Sequence, residues 1–306
     1  MKRTILDKFA SKLETIDDAP ESHRAAFLNT LQPDDTIRLL VFGPANKTLG
    51  MNSPATLLAV TNNGWISVSG EEDEFVTSVR CNFADTLLLE LTVVLLLGIL
   101  KIDFKTEDGT QCVSIAFNMV TLNFYQEVIR LLLDGVEGVG ANVLAAEDQT
   151  KLLENSLPAK SQGDVFKLKP SLERVMDTVY WLSIFGGRAC WFQYELSPET
   201  ILVLTERELV CISEEKIWRS SYKGNVGWVG HVITYFPLSR LQEFRFEPAS
   251  QSEKLKVEIR TRHGGRTLAI EFAREKECEV ESFMKQIQEQ QQTSIRFPDK
   301  TSNASL

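Results

Sequence analysis

Three histidines (His23, His231, His263) and five cysteines (Cys81, Cys112, Cys190, Cys211, Cys278) are the residues of this chain best suited to metal or nucleophile chemistry. A zinc site needs two or more of them at short, regular spacing, as in CxxC or HExxH. No such pair occurs, so no metal site is expected. The odd, widely spaced cysteines fit free thiols in a reducing, cytoplasmic compartment. GxSxG and GxxxxGK[ST] are absent too. GVEGVG at 135–140 has the glycines of a phosphate loop but follows a helical pattern instead of a strand, so its amides would not sit at a helix N-terminus. The acid pairs Asp17-Asp18 and Asp34-Asp35 lie beside helix starts and turns, where capping explains them. We therefore expect no enzyme and no cofactor.

The residues that remain are suited to recognition. EEKIWRSSYKGNVGWVGHVITYFPL, residues 214–238, holds Trp218, Arg219, Tyr222, Lys223, Trp228 and His231 among three glycines. Aromatic residues and Arg are enriched in binding hot spots. Two outcomes are open: a solvent-facing hairpin carrying a recognition surface, or a long hairpin whose tryptophans pack on their own domain. Lys216, Arg219 and Lys223 are balanced by Glu214 and Glu215, a thin site for phosphate. A protein or peptide is the expected partner, and a lipid headgroup on a peripheral membrane protein the alternative.

An internal repeat shows what positions that segment. SPATLLAVT at 53–61 returns as SPETILVLT at 197–205, an offset of 144. LKIDFKTEDG at 100–109 returns as LKVEIRTRHG at 255–264, and VSIAF at 113–117 as LAIEF at 268–272, an offset of 155. The second copy has gained 11 residues in between, and 214–238 is where they fall. A duplication with copies near 33–133 and 176–289 is expected, with Lys101 equivalent to Lys256 and Gly109 to Gly264.

Each copy reads as antiparallel strands ending in one helix. Asn62-Asn63-Gly64, Asp108-Gly109 and His263-Gly264-Gly265 are tight-turn signals between alternating apolar runs. Phe124, Val128, Ile129, Leu132 and Leu133 then form a helical stripe with Gly135 as its C-cap; Val280, Phe283, Met284 and Ile287 form another. The most apolar run, LLLELTVVLLLGIL at 87–100, contains Glu90 and falls short of the roughly 20 residues of a membrane span. It reads as buried strands, with Leu88, Leu91, Val93, Leu97, Ile102, Ile115 and Phe117 in the core. Ile5, Leu6, Phe9, Leu13 and Ile16 predict an amphipathic first helix, followed by a second near 22–31; both are expected to dock on the first copy. Residues 142–157 read as a connecting helix. The first sixteen residues lack a continuous apolar stretch, so no secretory signal is expected.

This order of elements resembles the pleckstrin-homology-like (PH-like) fold, especially the bacterial PH-like domains. The matching pieces are the LLAVT and ILVLT strands with their polar turns, Phe-Pro-Leu-Ser-Arg-Leu at 236–241, the LKIDFKT and LKVEIRT strands, and the closing helices. The first copy departs at Phe83-Ala84-Asp85-Thr86, which lacks the Pro-Leu. The resemblance implies an α+β protein of two tandem PH-like antiparallel barrels or sandwiches, each closed by a C-terminal helix. It also implies binding modules without catalysis, whose relatives bind phosphoinositides, peptides or other proteins. The domains expected are a helical segment 1–32, a first PH-like domain 33–135, a helical linker 136–175, a second PH-like domain 176–289 and a disordered tail 290–306.

Composition sets outer limits. Of 306 residues, 43% are hydrophobic and 25% charged, as in soluble globular domains. Residues 1–150 carry 11 Lys+Arg against 21 Asp+Glu, a net of −10; residues 151–306 carry 22 against 21. An acidic first half opposes nucleic acid or an anionic bilayer as partner. The oligomeric state is not written in these features.

Overall fold

The computed structural model describes residues 9–45, 53–71, 76–137, 175–181, 184–186, 194–221, 224–248, 254–262 and 266–296. Of 181, 184–186, 194–197, 215–221, 224–229, 248, 254–255 and 293–296 it describes the backbone alone. The predicted connecting helix, His263-Gly264-Gly265 and Cys190 lie outside these residues. The described chain is a mixed α+β protein of antiparallel sheets and three α-helices, and no sheet among the described residues closes into a barrel. It divides into two compact units, 1–140 with 214–234, and 141–213 with 235–306.

In the first unit, β1 (Ser11–Lys12), β2 (Ile37–Gly43), β3 (Ala55–Thr61), β4 (Gly64–Gly70) and β5 (Thr77–Asn82) form one sheet in that order. β6 (Thr86–Val94), β7 (Leu97–Thr106) and β8 (Gly109–Asn118) lie side by side at the end of a second sheet, in the order β8-β7-β6. A 3-10 turn at Phe83–Asp85 redirects the chain between the sheets. Trp65 of β4 fills the space between them. It is fully buried, meets Phe104 of β7 edge-on at 5.2 Å, and its Nε1 donates to Thr86 Oγ1 at 3.0 Å. All seven residues expected in the core are buried. Leu95 and Leu96, inside the same apolar run, are exposed.

The second predicted helix is present as α1 (Glu21–Thr30), and it docks as expected. Phe27 is fully buried in a cluster with Leu40, Leu57, Ala59, Ile66 and Val68. His23 is also buried, with Nε2 3.2 Å from the Ala55 carbonyl and its ring edge-on to Phe42. The predicted first helix is corrected where it is described. Ser11 and Lys12 pair with Phe42 and Val41 as β1, and a 3-10 turn follows at Ile16–Asp18. Two interactions outweigh helical spacing there. The edge of β2 offers a ladder, and Asp18 Oδ2 accepts from Thr15 N (3.0 Å) and Thr15 Oγ1 (3.2 Å), breaking the chain one turn earlier.

α2 (Leu122–Glu137) closes the first copy. Val128, Ile129, Leu132 and Leu133 are buried as predicted, but Tyr125 takes the deep position and Phe124 is half-buried. Tyr125 stacks on Phe117 with ring centroids 3.8 Å apart. Gly135 is not a C-cap. It lies inside the helix, and a Cβ there would sit 2.5 Å from the Phe83 ring, so glycine serves close packing.

In the second unit, β9 (Val175–Trp181) and β12 (Thr200–Thr205) pair, and β12 pairs with the first residues of β13 (Glu208–Ser221); the rest of β13 and most of β14 (Gly224–Pro237) belong to the first unit. β10 (Ile184–Gly186) and β11 (Tyr194–Ser197) form a short hairpin. After a 3-10 turn at Leu238–Arg240, β15 (Leu241–Pro248), β16 (Lys254–Thr261) and β17 (Thr267–Ala273) form a three-stranded sheet. α3 (Glu277–Arg296) follows, with Val280, Phe283, Met284 and Ile287 buried as predicted. It runs through 290–296, where a disordered tail was expected; Gln291 Nε2 donates to the Leu238 and Leu241 carbonyls and anchors that extension.

The two copies share their first hairpin residue for residue. Thr56 pairs with Ser69 and Thr200 with Ser213; Val60 pairs with Trp65 and Leu204 with Leu209, all at the offset of 144. The later hairpin differs in one respect. Phe117 and Phe272 stand at the offset of 155, but their partners are Gly98 and Leu255, an offset of 157. The middle strand β16 is therefore displaced by two residues against its neighbours, and Lys101 and Lys256, aligned by sequence, do not occupy equivalent pairs.

Candidate functional site

Most of the residues predicted for the site have side chains outside the described residues. Trp218 and Arg219 lie on β13 and Trp228 on β14, where the backbone alone is described; Tyr222 and Lys223 fall outside the described residues. His231 on β14 is half-buried. The arm is not wholly solvent-facing. Residues 214–234 belong with the first unit, where β14 lies next to β6. Gly230 is buried there, and a Cβ on it would meet the Val93 carbonyl oxygen at 2.5 Å.

A different site is formed in the second unit. A cleft of about 340 Å³ opens between the β12–β13 hairpin and β17. Thr200 faces Ser213 and Leu202 faces Cys211 across β12 and β13, so the alternation of strands puts these four side chains on one face. Thr200, Cys211 and Ser213 from that face line the cleft. The opposite wall is Leu268, Ala269, Ile270 and Glu271. Four consecutive strand residues point alternately to opposite faces, so a cavity that touches all four meets the strand at its edge. β17 is the terminal strand of its sheet.

The charges in the cleft are matched from within. Lys256, opposite Glu271 in the ladder, pairs with Glu258 and, at 3.6 Å, with Glu247. The Glu258 hydrogen bond, opposed by burial, raises the Lys256 ammonium above its ordinary range. Hydrogen bonds from Lys256 and Arg260 hold Glu258 below the usual carboxyl value. Burial pushes the Cys211 thiol up to about 12, so it stands there protonated. A protonated thiol is a poor nucleophile. The cleft is thus mostly apolar, with hydroxyls, one paired ammonium and one carboxylate, a lining suited to holding an uncharged or weakly charged segment.

The first copy differs at the same place. Ser53 Oγ accepts from Ala116 N, on the edge of β8, at 3.4 Å, and Thr56 Oγ1 lies 3.1 Å from Ser69 Oγ. Sequence reasoning missed the cleft because its signal is faint. At the repeat offsets Thr200, Ser213 and Lys256 match Thr56, Ser69 and Lys101; Cys211 for Ser67, Leu268 for Val113, Ala269 for Ser114 and Glu271 for Ala116 are the changes. Among the described residues no group of three His, Cys, Asp or Glu is placed to hold a metal. No described helix is long and apolar enough to cross a membrane. Compared with known proteins, the chain matches no family model, and no curated protein matches it.

Proposed function

We propose that this chain is a non-catalytic binding protein of two tandem PH-like modules, and that the second module takes an extended protein or peptide segment along the edge of β17. The tandem reading is supported by the shared register of β3–β4 and β12–β13, each followed by a three-stranded meander and a helix. The observation that carries the binding reading is the cleft lined edge-on by residues 268–271. A strand edge offers main-chain groups for an added strand, and flanking side chains supply selectivity. A lipid headgroup fits less well. Lys256 already has Glu258 and Glu247, and Glu271 adds a negative charge to the same lining.

The test is a peptide library panned against the full chain, repeated with Ala269→Trp. Ala269 is exposed and lines the cleft, so tryptophan fills the space without entering the core. Selected peptides should lose binding to the variant. Absence of enrichment, or peptides that bind both forms equally, would sink this reading. Flotation with phosphoinositide vesicles examines the headgroup alternative.

A further inference from the structure

Three large aliphatic side chains stand in solvent at one end of the first unit: Leu95 is 62% exposed, Leu96 68% and Val120 72%. Leu95 and Leu96 are the two-residue turn between β6 and β7. Val120 lies in the 3-10 turn Met119–Thr121 after β8. The two turns are joined, since Met119 N donates to the Leu96 carbonyl at 2.9 Å. Asn118 fixes the second turn, its side chain accepting from Val120 N at 3.0 Å and its carbonyl from Thr121 Oγ1 at 2.8 Å. The leucines and the valine are therefore held outward together by a hydrogen-bonded tip.

Stability of the fold does not account for this tip. Leu95 has φ of +52°. Two-residue hairpins favour Gly or Asn at such positions, and a leucine there is strained. Strain retained at an exposed position points to function.

The chemistry around the tip says what covers it. The chain segments next to it, 91–100 and 113–126, contain no Asp, Glu, Lys or Arg; Glu90 on β6 and Lys101 on β7 pair with each other farther from the tip. Protein hot spots are built on Trp, Tyr and Arg, whereas Leu and Val are under-represented in them; this tip is Leu, Leu and Val. The first 150 residues carry a net charge of −10, which an anionic leaflet repels. We infer that Leu95, Leu96 and Val120 form a wedge that inserts into the hydrocarbon boundary of an electrically neutral bilayer. Its apolar content is of the order of one acyl chain, enough for reversible contact and not for permanent anchoring. The wedge is independent of the cleft in the second unit.

The test is flotation of the full chain with vesicles of phosphatidylcholine alone and with phosphatidylserine added. The chain should partition into neutral vesicles, less as phosphatidylserine rises, with salt relieving that loss. Leu96→Ser should weaken partition about tenfold or more. Leu95→Gly should weaken it similarly without lowering the melting temperature, because glycine accepts the positive φ. Circular dichroism establishes that both variants fold. Partition that requires phosphatidylserine, no partition into neutral vesicles, or wild-type partition of Leu96→Ser overturns the wedge and leaves a partner protein as what the tip meets.

Discussion

The turn of the β3–β4 hairpin and the turn of the β12–β13 hairpin have the same backbone and opposite chemistry. In both, a threonine hydroxyl brackets the turn. Thr61 Oγ1 accepts from Asn63 N and Gly64 N and donates to the Gly64 carbonyl; Thr205 Oγ1 accepts from Arg207 N and Glu208 N and donates to the Glu208 carbonyl. Around that bracket the first copy uses a latch from outside. Asp35 receives both arms of Arg80 at 3.2 Å, and Asn62 and Asn63 reach Asp34 and Asp35. The second copy buries a charged pair in the turn itself, with Arg207 6% exposed, Glu208 fully buried, and Nε to Oε2 at 3.4 Å. One local rule for the backbone thus supports two unrelated ways of holding the turn in place.

The largest effect should come from separating the buried pair. Glu208→Ala leaves the Arg207 guanidinium buried without its neighbour and should cost about 3–5 kcal/mol in denaturant unfolding. No such loss would mean that Glu208 is not what makes that turn differ from the first.

Next are the shared brackets. Thr61→Val and Thr205→Val each leave two turn amides unserved and should cost about 2 kcal/mol apiece. The two losses should agree within about 0.5 kcal/mol. A large inequality would show that the surrounding latch or ion pair, and not the hydroxyl, carries one of the turns.

The latch sharpens the contrast through pH. Burial pushes the Asp35 carboxyl up, but the Arg80 guanidinium and the Gln32 and Asn63 donors outweigh it and hold the group below 3.8. A depressed carboxyl stabilises the fold above its unfolded value and loses that contribution as pH falls below about 3.8 and through the folded value. Val179 and Gly224, the residues at the offset of 144 from Asp35 and Arg80, carry no charge. Asp35→Asn should therefore lower stability at pH 7 by about 1–2 kcal/mol and flatten the acid limb of the melting curve. An unchanged acid limb would remove Asp35 from the account. The smallest effect is expected at the cleft, where Ala269→Trp should stay within about 0.5 kcal/mol of wild type. A greater loss would place Ala269 in the core.

Periodicity was a good guide wherever neighbours in sequence decide the structure. The hairpins around Asn62-Asn63-Gly64 and Asp108-Gly109, the core face of 87–117 and the stripes of α2 and α3 were all legible. Three features were not, because a distant residue decides them. Ser11 and Lys12 leave the helical pattern for the edge of β2, thirty residues away. Gly135 answers to Phe83. The cleft exists because β17 approaches the β12–β13 face across more than fifty residues of chain, and Cys211 and Ile270 line it together only when both sheets have formed. Of the predicted site residues, His231 alone has a described side chain; the 214–232 signal was compositional and carried no geometry.

The displacement of β16 gives the middle strand of each meander a reading frame of two. A shift of one residue would turn every inward side chain outward; a shift of two restores the facing pattern. The core accepted the even step: Leu100 opposite Ile115 in one copy is answered by Val257 opposite Ile270 in the other, all buried. The lysine of the repeated phrase moved with the frame and met a new counterion. Lys101 stands opposite Glu90, while Lys256 stands opposite Glu247. Length changes in the turns flanking this strand are therefore tolerated in pairs, and a single inserted residue must be absorbed as a bulge before it reaches the core.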